Sequence, residues 1–136
     1  MLRKRFSLCF VMNVLIIILV SLLFSSMVFA EKLPGKIVIG CLEPLTGAHA
    51  VFGTEAKIGM EFAVQHINES GGIQSLGGIP LELVAEDVGE DAMSARLAAE
   101  SLISKHHPAA VLGLYISRLT TAASEITERE KVILVA

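Results

Sequence analysis

Five side chains in this sequence are suited to holding a small polar molecule: Phe52, Thr46, Ser117, Tyr115 and Thr120. Ser117 follows an apolar run, Ala109–Tyr115, and precedes a helical pattern that starts at Arg118. A serine there caps the helix, and the free N–H groups of the first turn attract an anion such as a carboxylate. Its hydroxyl can donate to that same anion or accept from an ammonium group. Capping and ligand binding are both open to Ser117, and they are compatible. Tyr115 and Thr120 bound the same segment. Phe52 belongs to a second loop, Glu43–Gly53, where its ring either walls a crevice or packs beneath the following helix. Thr46 either bonds within its own turn or reaches the ligand, and His49 reads as a solvated loop residue.

Other chemistry-bearing clusters have simpler explanations. Glu86, Asp87, Glu90 and Asp91 form an acidic group without calcium-loop spacing, so a solvated turn with Asp91 as helix cap accounts for it. His106 and His107 fall in the last turn of a helix with no third ligand in sequence reach. Cys41 lies in an apolar strand and reads as a small buried hydrophobe. The glycine patterns of phosphate and dinucleotide loops are absent, as are H-E-x-x-H and G-x-S-x-G. No enzyme activity and no cofactor are expected.

The elements that would position these residues can be read from periodicity. Ile37–Leu42 is a short apolar strand running into the Glu43–Gly53 loop. Met60, Ala63, Val64 and Ile67 form one apolar stripe on a helix over about Thr54–Ser70, stopped by Gly71 and Gly72. Leu81–Asp87 alternates apolar and acidic residues, as a strand at a sheet edge does. Asp91 opens a second helix with Ala95, Ala98, Ala99, Leu102 and Ile103 as its buried stripe, and Pro108 lies past its end. A third helix carries Leu119, Ala122, Ala123 and Ile126 on one face, and Val132–Val135 is a last apolar strand. The pattern predicts an α/β fold: an open parallel sheet with helices on both faces, in the sequence β-α-β-α-β-α-β. Right-handed crossovers favour strand order 2-1-3-4. In such a sheet ligands bind beyond the carboxyl ends of the strands, where both loops lie.

The N-terminus addresses the chain for export. Arg3, Lys4 and Arg5 precede an apolar run from Leu8 to Phe24, and Val28 and Ala30 place small residues before Glu31. That build predicts a signal peptide over residues 1–30, with an uncleaved membrane anchor as the other reading. Either way residues 31–136 lie across the membrane, in the periplasm. Removing 1–30 takes away three basic residues and lowers the formal charge from −3 to −6. An acidic surface excludes nucleic acid and anionic lipid as partners. Ending on a buried-type strand leaves an unpaired edge, so the chain is expected to be a truncated piece of a longer protein.

Three strings now converge: PLTGAHAVFGTEAKIGMEFAVQHINESGGI, LELVAEDVGEDAMSARLAAESLI and VLGLYISRLTTAASEITEREKV. Over Lys36–Ala136 the chain resembles the substrate-binding proteins of branched-chain amino acid ABC transporters, the leucine-binding type of periplasmic receptor. The resemblance implies a truncated N-terminal lobe, residues 31–136, of a two-lobe type I periplasmic binding protein that closes on an amino acid. It implies that Ser117 holds the ligand's α-amino or α-carboxylate group and that Phe52 lies against the ligand. A permease in the inner membrane is the implied partner, and the full-length receptor is expected to be monomeric. Some members carry a disulfide where this chain has Gly89 and Ile116, so that staple is missing. Tyr115 and Arg118 replace smaller residues, which opens the site to a larger or more polar ligand than leucine. Two other readings stand beside this one: an exported α/β enzyme fragment, and a membrane-tethered sensor lobe of the same fold.

Overall fold

Strand β1, Ile37–Glu43, leads into helix α1, Ala50–Glu69, in a computed structural model that describes residues 35–136. The signal-peptide reading of residues 1–30 lies outside the described residues. Then follow a 3-10 turn at Gln74–Leu76, strand β2 at Leu81–Asp87, helix α2 at Ala92–His106, and strand β3 at Ala110–Gly113. Helix α3, Ser117–Arg129, and strand β4, Ile133–Val135, complete the order. All strand pairs are parallel and the sheet order is β2-β1-β3-β4, as the crossover rule predicts. The alternating strand β2 is indeed at an edge.

The helices divide unequally between the two faces. Helices α1 and α2 both pack on β1 and β2 without packing on each other, so they cover opposite sides of the sheet. Helix α3 packs beside α2. The core therefore fills the α2/α3 side, where Leu42, Val88, Leu102, Val111, Leu114 and Leu119 are all buried. Alternation along β1 sends Gly40 and Leu42 toward α2, and a Cβ on Gly40 would meet Leu102. Cys41 and Glu43 accordingly point to the α1 side.

Three sequence expectations need correction. Helix α1 begins four residues before Thr54, because Gly53 lets its first turn rest on the backbone of Pro44. The stripe Met60, Ala63, Val64, Ile67 is only partly covered, with Ala63 exposed, since α1 is alone on its side of the sheet. Strand β3 is shorter than Ala109–Tyr115: it ends at Gly113, and Leu114 turns the chain away with φ of 71°. Positive φ in a leucine costs about 1–3 kcal/mol and persists only where surroundings hold it.

Candidate functional site

The carboxyl ends of β1, β2 and β3 bring three loops together, and Asp87 ties two of them. This last residue of β2 accepts from the Leu45 amide at 2.8 Å, the Thr46 hydroxyl at 2.6 Å and the Gly89 amide at 2.9 Å. Partial burial pushes its carboxyl up, but the Thr46 hydroxyl and the amides of Gly89, Leu45 and Thr46 outweigh that and hold it below the usual carboxylate range. Glu90 extends the lacing: its side chain accepts from the Ala48 amide, and its carbonyl accepts from Arg118 at 3.1 Å. Asp91 caps α2 as expected, taking the amides of Met93 and Ser94 at 2.8 and 2.9 Å. Asp87 and Glu90 thus lace the loops together, while Glu86 accepts from Ser101 on α2.

Aromatic rings form the upper wall. Tyr115 lies edge-to-face with Phe52 at 6.2 Å between centroids and with His49 at 6.4 Å. Its hydroxyl donates to the His49 carbonyl at 3.3 Å. Phe52 is 62% exposed and Tyr115 50%, so most of this aromatic surface is presented to solvent. Phe52 stands in the first turn of α1 and is too exposed to be packed beneath the helix. Neither the grouping with His49 nor its dependence on an early helix start is visible in sequence spacing.

The start of α3 forms the second wall. Ser117 is the first helical residue and the cap position is Ile116, which provides no side-chain hydrogen bond. The expectation that Ser117 caps a helix starting at Arg118 is corrected by one position. With an apolar residue at the cap, the amides of Ser117 and Arg118 find no hydrogen-bond partner among the described residues. Ser117 is exposed beside them. Thr120 has a different occupation: its hydroxyl donates to Leu114 at 2.6 Å and Ile116 at 3.1 Å, fixing the strained turn that presents Tyr115 and Ser117. Thr46 is likewise committed to Asp87.

At the end of β1 stands a residue that sequence reading passed over. Glu43, the last residue of β1, is 2% exposed. Its Oε1 accepts from the Leu114 amide at 3.3 Å, while its Oε2 is buried without a partner among the described residues. Burial pushes its carboxyl up, and the Leu114 amide offsets this only in part. Burial, then the Glu43 charge, push the neighbouring Cys41 thiol up to about 11, which keeps it an unreactive core group. The inward direction of Glu43 follows from the alternation of β1, Ile37-Val38-Ile39-Gly40-Cys41-Leu42-Glu43, and that was the available signal.

A family model described as periplasmic binding protein matches residues 36–136. Leu/Ile/Val-binding protein homolog 7 of Brucella suis biovar 1 (strain 1330) is 35% identical over 99 residues, 73% of this chain and 24% of that protein. A protein of Pseudomonas aeruginosa described as an amino acid binding protein is 34% identical over 97 residues, covering 71% and 25%. Among solved structures, a branched-chain amino acid transporter substrate-binding protein from Streptococcus pneumoniae, in complex with isoleucine, superposes with a TM-score of 0.67. It is 30% identical, over 73% of this chain and 28% of that one. The chain therefore spans about a quarter of the length of the relatives it matches.

Proposed function

The chain belongs to the periplasmic binding protein family, and from that premise we propose that it contributes part of an N-terminal lobe to an exported solute receptor. In this reading residues 1–30 direct export and residues 31–136 work in the periplasm. The receptor, a monomer, takes an amino acid or similar small polar ligand between two lobes and hands it to an inner-membrane ABC permease. It makes and breaks no covalent bonds.

The observation that carries this reading is the convergence at the carboxyl end of the sheet of exposed Phe52 and Tyr115 with the unpaired amides at Ser117 and Arg118. A ligand carboxylate seats on those amides and the Ser117 hydroxyl, where the positive end of the helix dipole favours it. The rings cover the ligand's apolar part. Relatives whose names record amino acid binding support the ligand class. A single lobe offers only part of the contacts that closure would complete, so affinity in this chain is weak. Titration of the labelled chain with amino acids, followed by amide NMR, is expected to move the Ser117, Arg118 and Phe52 signals without saturating. Calorimetry of the same samples should show no micromolar binding. Amide signals indifferent to every amino acid tested would overturn the proposal.

A further inference from the structure

We propose that Glu43 is the acceptor in this lobe for a positively charged nitrogen on the ligand, an alkylammonium group. The inference rests on the binding-lobe reading above and adds a residue and a charge requirement to it. Glu43 is the last residue of β1, where the crevice begins, and its side chain points to the same side of the sheet as α1. One oxygen is committed to the Leu114 amide, and the other has no donor among the described residues. A buried carboxylate oxygen left without a partner is a standing cost to the fold, of the kind that functional sites retain. Nothing in the packing demands a carboxylate there, since a neutral side chain could accept from Leu114 equally well.

Tyr115 follows directly on Leu114, whose amide Glu43 holds, and its ring is half exposed. Tyr115 is tethered by one long hydrogen bond to the His49 carbonyl. Its hydroxyl senses Glu43, whose negative charge adds to burial in raising it. Displacing that ring opens Glu43 to the crevice beside aromatic faces, which themselves favour a cation. A desolvated carboxylate paired with an ammonium forms a strong charge-assisted hydrogen bond. The anion-binding start of α3 lies three residues beyond Leu114, so one lobe presents complementary sites for both ends of a zwitterion.

The test compares an amine-free acid with its α-amino counterpart and with a diamine. The chain and its Glu43→Gln variant are titrated with L-leucine, L-lysine and 4-methylpentanoate, reading the Glu43 side-chain carboxyl by carbon NMR and the amides of Leu114 and Ser117. An amine that reaches Glu43 shifts the carboxyl signal, and Glu43→Gln lowers the slope of the amide shifts against added amine at least about tenfold, while 4-methylpentanoate gives the same slope in both forms. A loss for both amino acids assigns the α-ammonium, and a loss for lysine alone assigns a side-chain amine. Equal affinity of both proteins for every amine, or equal weakening of the amine-free acid, overturns the role of Glu43. The latter marks a purely structural residue, and the former an oxygen satisfied by water. Indifference of the unmodified chain to all three ligands refutes the binding-lobe reading itself, and this inference falls with it.

Discussion

Asp87 and Glu43 stand at the ends of adjacent strands, yet their environments move their protons in opposite directions. Three donors surround Asp87 and favour its charged form. Its folded pKa is held below the usual aspartate range, so its contribution is present above that range and is lost as pH falls through the lower folded value. Asp87→Ala unties Leu45, Thr46 and Gly89 together, and we expect about 2–3 kcal/mol of destabilisation by urea unfolding at pH 7. The gap between the two proteins should narrow on acidification below that range. Glu43 has the reverse sign. Its folded pKa is raised above 4.5, so its contribution is fully present below pH 4.5 and is lost as pH rises through the folded value. Glu43→Gln is neutral throughout, so the variant should unfold at the higher temperature at pH 8, by roughly 1 kcal/mol, and match the parent near pH 4. A constant difference across that range in thermal scans would contradict the assignment. Neither residue advertises these roles in sequence. Asp87 reads as one of four acids in a turn because two of its three partners, Leu45 and Thr46, lie more than forty positions away. The strand-to-helix junction at Ser117, by contrast, was legible to within one residue because it is a local pattern, although the cap position falls on Ile116.

Helix α1 shows what local pattern can and cannot set. Gly53 looks like a break before a helix, which is why periodicity starts the element at Thr54. In the fold Gly53 is inside the first turn and buried, and a Cβ there would fall on the carbonyl oxygen of Pro44. A glycine that permits close approach of two backbones is indistinguishable in sequence from one that stops a helix. The displacement matters for the site, because it moves Phe52 from a loop onto a rigid turn facing Tyr115. Gly53→Ala must push α1 off the Glu43–Gly53 loop, an overpacking cost of about 1–3 kcal/mol. We expect loss of that stability in urea unfolding, together with loss of the ring-current shifts that the Phe52–Tyr115 pair produces. Preserved aromatic shifts in the variant would mean that the early helix start does not position Phe52. Helices α2 and α3 were legible at their buried stripes, since Ala95, Ala98, Ala99, Leu119, Ala122 and Ala123 let two helices pack side by side.

At the scale of the whole molecule, burial is lopsided. The α2/α3 side holds the core, whereas α1 alone covers part of the other side and leaves Ile58 and Phe62 at 55% and 71% exposure. Ile133 and Val135, on the same strand β4, are 66% and 55% exposed, and β4 pairs only with β3 among the described residues. The strand order that made this edge was legible from crossover handedness, but the exposure of its side chains was not, because an apolar run looks the same covered or bare. Leu134, between them, packs against the core and should be left alone. A parallel edge strand with outward apolar side chains is a template for another chain, and natural edges are blunted with lysine. The chain as given should therefore self-associate with rising concentration, and Ile133→Lys with Val135→Lys should shift it toward monomer in sedimentation velocity while leaving its unfolding midpoint close to that of the parent. The companion variant Ile58→Lys with Phe62→Lys separates the edge from the helix surface. If only the helix pair restores monomer, association runs through α1, and the β4 edge is not the sticky element.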